Sequence, residues 1–327
     1  MSGLQDSYGR EIDYLRVSVT DRCNLRCIYC MPAEGIRMTT HTQVLSYDEI
    51  VRVCTIMAGL GIKKIKLTGG EPLARKNVPE LVREVKRIPG IERVTLTTNG
   101  VALASCMDEL AAAGLDGMNI SLDTTDRELF REITRKDELA SVLRGLQAAL
   151  SYPQIPVKLN CVPLGRKEQN LLELAAFARD YPIHVRFIEM MPVGYGKEFS
   201  FTGEEEIKAE LEAVYGPMTP YQGVLGNGPC HYYELEGFKG KIGFISAISH
   251  KFCDRCNRVR LTSQGFLKTC LQYDTGKDLR TLLRNGSGDE EIARVIIQAL
   301  EGKPGGHHFL EKDIREENSM CMSQIGG

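Results

Sequence analysis

Between residues 14 and 188, short β-branched runs alternate with helical periods, and the alternation keeps one sense for six units. Strands are expected at 15–20, 63–68, 93–97, 117–121, 157–162 and 184–188. Helices are expected between them at 46–60, where Ser46 and Glu49 form a capping-box pattern, and at 78–87, 102–113, 138–150 and 168–179. A strand followed by a helix and another strand makes a parallel pair with a crossover, so six such units commit this stretch to a parallel sheet of the α/β class. The distinctive polar residues all follow strand ends. These are a cysteine-bearing loop, Gly69-Gly70-Glu71-Pro72, Thr97-Thr98-Asn99-Gly100, Ser121-Leu122-Asp123, Asn160-Cys161 and Glu189-Met190-Met191. Six polar ends meeting at one place suit a barrel mouth, whereas an open sheet uses mainly the strands beside its switch point. The expected fold is an incomplete, TIM-like (βα)6 barrel over residues 1–193. From 194 to 327 the rhythm becomes Gly-rich, with a helix near 204–214, a hairpin between Tyr232 and Ile245 and a helix over Asp289–Glu301, and is read as an appended C-terminal extension.

A formal charge of -2 gives no global field for nucleic acid or an anionic membrane, so an anionic ligand must meet a local group of Lys and Arg. No apolar run approaches the roughly 20 residues of a membrane span, and the opening MSGLQDSYGR has no signal-peptide character. Neither a nucleic-acid nor a membrane partner is therefore expected, and the cytoplasm is the expected compartment. There the eleven cysteines point to metal or catalysis rather than disulfides. Six fall in two tight groups; Cys54, Cys106, Cys161, Cys230 and Cys321 stand alone and are expected to be small buried hydrophobes or inert thiols.

Cys23, Cys27 and Cys30 have C-x3-C-x2-C spacing on the loop after the first strand. Three thiolates can hold three irons of a 4Fe-4S cubane and leave the fourth open, whereas a structural zinc site would want a fourth ligand close by. Cys253, Cys256 and Cys270 form a second trio, C-x2-C-x13-C, which reads as another three-ligand cluster or, with His250, as a zinc knuckle. Arg258 and Arg260 share one face of an extended segment beside it. With Arg16, Lys66 and Lys158 they make a cationic set able to hold a polyphosphate through side chains, as there is no Walker loop.

The stretch CNLRCIYC resembles the C-x3-C-x-aromatic-C signature of the radical S-adenosylmethionine (SAM) superfamily, and Gly69-Gly70-Glu71-Pro72 is similar to its GGEP loop. That likeness implies SAM on the open iron, contacted by Tyr29, Gly70, Ser121 and Met191. Across nearly the whole chain, through RFIEMMP, KIGFIS, FCDRCNRVRLT and the terminal Gly-Gly, the sequence resembles the GTP 3′,8-cyclase family of molybdenum cofactor biosynthesis. The resemblance implies two 4Fe-4S clusters, the second anchoring guanine, and GTP contacts at Arg16, Lys66, Thr97, Lys158, Arg258 and Arg260. It implies catalytic roles for Arg258, Arg260 and a tail, Gly326 and Gly327, inserted into the site. It also implies a flavodoxin-type reductant and a downstream cyclic pyranopterin monophosphate synthase, and leaves room for a homodimer. Two departures, Ala247 where the family often has Pro and Cys321 in the tail, are expected to touch no ligand position. The competing readings are a peptide-modifying radical SAM enzyme with an auxiliary cluster and a zinc-stabilised binding module.

Overall fold

The computed structural model describes residues 3–36, 39–200, 202–309, 311 and 320–326. Of the expected site residues, Gly327 lies outside the described residues. Six strands form the frame: β1 (Tyr14–Ser18), β2 (Lys64–Thr68), β3 (Arg93–Thr98), β4 (Met118–Ser121), β5 (Val157–Cys161) and β6 (His184–Ile188). Each pairs in parallel with the next. The connections carry α1 (Tyr47–Leu60), α2 (Val78–Lys86), α3 (Met107–Ala112), α4 (Arg127–Thr134), α5 (Leu139–Leu150) and α6 (Leu171–Asp180). The expected capping box is formed in α1: Ser46 Oγ accepts from Glu49 N at 3.1 Å, and Glu49 accepts from Ser46 N at 2.7 Å.

Two helical segments differ from expectation. The 102–113 stretch is a turn over Leu103–Ser105 followed by the shorter α3. Here α5 crosses so closely that a Cβ on Gly145 would collide with Gly100 O, which holds the start of the segment out of helix. Helix α4 was not expected. Asp126 caps it by accepting from Leu129 N at 2.7 Å, and Leu129, Phe130 and Ile133 are its buried face.

After β6 come α7 (Glu204–Tyr215), β7 (Thr219–Tyr221), β8 (His231–Glu234) and β9 (Ile242–Ile245), then β10 (Arg258–Leu261), β11 (Phe266–Lys268) and β12 (Gly276–Asp278). Helices α8 (Leu279–Arg284), α9 (Asp289–Glu301) and α10 (Met322–Ile325) follow. The β8–β9 hairpin lies where the sequence placed it. Unforeseen was that β9 adds in parallel to β6 and β10 in parallel to β1, so later residues cover both edges of the six-strand frame. The sheet runs β12-β11-β10-β1-β2-β3-β4-β5-β6-β9-β8-β7, and its two ends do not join, which leaves the barrel open.

Strand alternation separates core from lumen. Leu15, Val17, Ile65, Leu67, Val94, Leu96, Ile120, Leu159, Val185, Phe187, Val259 and Leu261 are buried in one hydrophobic core with α1, α2, α5, α6 and α9. Their alternates, Arg16, Lys66, Thr95, Thr97, Asn119, Lys158, Arg186, Arg258 and Arg260, face a common cavity.

Candidate active site

The cavity, of about 570 Å³, is lined by both cysteine trios and by the cations between them. The first trio sits on the loop after β1. Helix α4 steadies that loop through Arg26 N to Thr134 O and Ile28 N to Ile133 O, each 2.9 Å. Arg135, just past α4, donates to Arg26 O at 3.1 Å and Met31 O at 2.9 Å. On the other side Gly70 N donates to Thr20 O and Glu71 N to Arg22 O, both at 2.8 Å. This ladder explains the glycines: a Cβ on Gly70 would lie 2.5 Å from Arg22 O, and one on Gly69 2.5 Å from Thr20 O.

Glu71, 1% exposed, ties two strand ends together, accepting from Thr98 Oγ1 at 2.7 Å, Asn99 N at 2.6 Å and Leu73 N at 2.9 Å. Burial lifts its carboxyl to about 7 despite these donors. Asn99 in turn reaches Cys23 Sγ at 3.8 Å and Asn24 Oδ1 at 2.7 Å. Tyr29 lines the cavity, but its hydroxyl is committed to Asp123 at 2.5 Å. Burial raises Asp123 to about 6. Gly70, Ser121 and Met191 line the same wall. Burial pushes the Cys23 thiol to about 11, and burial with the neighbouring thiols and Asp123 pushes Cys27 and Cys30 up as well. Three thiols that hinder one another's ionisation need a cation among them to become thiolates.

The second trio lies across the cavity, Cys253 and Cys256 on the turn before β10 and Cys270 just after β11. His250 does not join it: the ring is turned to Glu204, with 3.7 Å between Nδ1 and the carboxylate. Instead Arg10, paired with Asp6 at 2.6 Å, donates to Cys253 O at 2.7 Å, Pro304 O at 2.7 Å and Gly305 O at 2.9 Å. His307 N lies 3.5 Å from Cys253 Sγ. Burial raises Cys253; at Cys256 burial is outweighed by Lys303 and Arg258, and the thiol is lowered. Among the described residues no three His, Cys, Asp or Glu side chains are arranged to hold a single metal ion. Each trio does offer three thiols on a cavity wall, the donor set that suits a cubane with one open iron.

Between the trios the register lines up the cations. Arg260 is the Cα partner of Arg16, and Arg16 of Lys66, across β10, β1 and β2. Thr97, Asn119 and Lys158 are partners across β3, β4 and β5. Burial lowers Lys66, and Arg186, Arg16, Lys158 and Arg258 lower it further, so these groups repel one another in the absence of an anion. Arg258 also stacks over Phe252, 5.0 Å from the ring centre.

The tail crosses the mouth. Gly194 packs 3.3 Å from Cys321 Cα by its virtual Cβ, Met322 and Ser323 line the cavity, and Gly326 O accepts from Arg260 at 2.6 Å. Cys321 lies near enough to Cys30 to count among the groups raising that thiol. Ala247 lines the cavity, and its carbonyl accepts the His307 Nε2 hydrogen bond at 2.7 Å.

The sequence reading missed Arg186, Arg10 and Lys303, and it placed Asp123 at a converging strand end without giving it a role. Arg186 had a signal, an Arg at the inward phase of an apolar strand. Arg10 and Lys303 had none, because their partners lie far away in sequence.

Residues 17–178 match the radical SAM superfamily model and residues 183–309 the Molybdenum Cofactor Synthesis C model. The chain is 46% identical to a GTP 3′,8-cyclase of Syntrophomonas wolfei over 99% of this chain and all of that one. It is 45% identical to one of Moorella thermoacetica, over 99% of this chain and all of that one. A third, of Heliobacterium modesticaldum, is 47% identical over 98% and 99% of the two chains. Among solved structures, Streptococcus suis SuiB superposes with a TM-score of 0.62 at 14% identity, covering 90% of this chain and 66% of that one. The SuiB structure bound to S-adenosylmethionine gives 0.60 at 15% identity, over 86% and 68%. At that identity the likeness shows the barrel fold alone. The full-length relatives do not favour the peptide-modifying alternative.

Proposed function

Because this chain belongs to the GTP 3′,8-cyclase family of radical SAM enzymes, we propose that it converts GTP into 3′,8-cyclo-7,8-dihydro-GTP with two 4Fe-4S clusters facing each other across the barrel cavity. The first cluster is assigned to Cys23, Cys27 and Cys30 with SAM against Tyr29, Gly70, Ser121 and Met191; the second is assigned to Cys253, Cys256 and Cys270. The observation that carries this reading is the mutually repelling set of Arg16, Lys66, Lys158, Arg186 and Arg258 in a cavity shared by both trios. A triphosphate relieves that repulsion, and forked guanidinium donors suit its oxygens.

When bound, the first cluster and SAM supply a 5′-deoxyadenosyl radical able to take the hydrogen from C3′ of GTP. The chain's own work is to hold and orient. Lys66, Lys158, Arg16 and Arg258 bind the phosphates, Thr97 lies beside them, and Cys253, Cys256 and Cys270 would hold a cluster able to anchor the guanine. Arg260 is aimed by the tail carbonyl of Gly326. A flavodoxin-type reductant and a following cyclic pyranopterin monophosphate synthase complete the reading on family grounds, with the cytoplasm as the compartment and room for a homodimer. No helix among the described residues is long and apolar enough to cross a membrane. Anaerobic incubation with SAM, a reductant and GTP tests the proposal: 5′-deoxyadenosine and a cyclised nucleotide are expected together, and deoxyadenosine with GTP untouched would discard the substrate.

Two consequences concern single residues. Gly326 has φ +84° and a virtual Cβ 2.9 Å from Thr68 Cγ2 and 3.1 Å from Ser18 Cβ, so Gly326→Val expels the tail and frees Arg260. Turnover is expected to fall at least about 100-fold, with iron, sulfide and SAM binding unchanged; unimpaired turnover would refute the tail's role. Removal of Gly326 and Gly327 should act alike.

Burial, then Arg186, lowers the Lys158 ammonium to about 8. Only the charged form attracts phosphate, so above that pH binding must first take up a proton. GTP affinity is expected to weaken as pH rises from about 7 to 9. In Lys158→Met it should be about tenfold weaker at neutral pH, with a shallower fall across the range because the Lys158 contribution is gone. Equilibrium binding at several pH values checks this, and a wild-type affinity independent of pH contradicts it.

A further inference from the structure

Lys303 follows α9 on a Lys-Pro-Gly-Gly turn and is 3% exposed. Its ammonium donates to Thr269 O at 2.6 Å and to Arg258 O at 3.0 Å, and lies 3.7 Å from Cys256 Sγ. All three partners belong to the frame of the second trio. Cys256 is a member, Arg258 O is two residues beyond it, and Thr269 immediately precedes Cys270. None of the three is a carboxylate. An ammonium taken out of water without a counter-charge is strongly unfavourable. Asp6 is already paired with Arg10 at 2.6 Å, which leaves the charge of Lys303 to the sulfurs.

We propose that Lys303 is a positioning residue for the second cluster, acting as its counter-cation and as an N–H donor to Cys256 Sγ while clamping the Cys256 and Cys270 segments together. The inference rests on the assignment of a cluster to Cys253, Cys256 and Cys270. A cubane held by three thiolates is anionic, more so when reduced, so a buried cation a few ångströms from one sulfur favours the reduced form. Hydrogen bonds to the sulfurs act in the same direction. The backbone bonds add a geometric role. They link residues on either side of the β10–β11 hairpin, so Cys256 and Cys270, with thirteen residues between them in sequence, are held by one side chain.

The test uses the full-length protein, anaerobically reconstituted, as wild type, Lys303→Met and Lys303→Arg. Iron and sulfide are counted, and both clusters are titrated by EPR-monitored reduction. In Lys303→Met the second cluster's reduction equilibrium is expected to move about tenfold toward the oxidised form, about 59 mV for a one-electron couple, while the first cluster's stays in place. Lys303→Arg keeps the charge and is expected to stay within about threefold of wild type. Loss of iron from the second cluster alone in Lys303→Met would support the same role. An unmoved potential in Lys303→Met, equal iron loss from both clusters, or equal shifts in the two variants overturns it. Wild-type protein with about four rather than eight irons per chain instead overturns the two-cluster assignment, before any variant is compared.

Discussion

Cys27→Ala is expected to abolish formation of 5′-deoxyadenosine and of every cyclised nucleotide. Each thiol of the first trio would serve one iron, and the neighbouring carboxylate is held elsewhere: Asp123 is committed to Tyr29 at 2.5 Å and to Val162 N at 2.9 Å, and Asn99 carries no charge. With two thiolates the cluster does not stay bound, and SAM loses the iron it needs. The whole rate enhancement goes with it, a loss well beyond about 1,000-fold. Iron should fall by about half, because the second trio lies across the cavity on separate segments, and that remaining half is the internal control for folding. Wild-type SAM cleavage by Cys27→Ala would contradict the assignment of the first site.

Cys256→Ala should separate the two halves of the reaction. The first loop is held by hydrogen bonds to α4, Gly70 and Glu71, on segments separate from the second trio, so reductive SAM cleavage should persist. Guanine loses its anchor, and the cations alone leave the ribose free to turn. Precise placement is what converts binding into reaction, and cyclisation is expected to drop at least about 1,000-fold. Deoxyadenosine would then form without consumption of GTP. Equal loss of cleavage and cyclisation would mean that the second trio is needed to build the first site, and that the division of labour is wrong.

The frame was legible because its signals are local. Strand positions agree within two residues, the Ser46 and Glu49 box is formed as written, and Arg16, Lys66, Lys158, Arg258 and Arg260 sit at the inward phase their strands dictate. The cysteine trios were legible because three like residues at close spacing carry chemistry without reference to fold. Helix α4 was passed over because its apolar stripe of Leu129, Phe130 and Ile133 is short and serves the cysteine loop more than the main core. The second trio's surroundings were out of reach for another reason. Arg10 meets residues 243 and 295 positions away, and Lys303 meets Cys256 at 47. No periodicity encodes such contacts; they follow from β10 docking in parallel on β1, which brings the extension back beside the amino-terminal segment.

The central claim is that one cavity holds SAM on the first trio and GTP against the second, with the ribose C3′ within reach of the radical. Incubation with 3′-deuterated GTP measures this directly. Deuterium is predicted in 5′-deoxyadenosine, matched by a cyclised nucleotide that has lost it. Deoxyadenosine free of deuterium, formed by protein with its full iron content while GTP is recovered intact, would contradict the account.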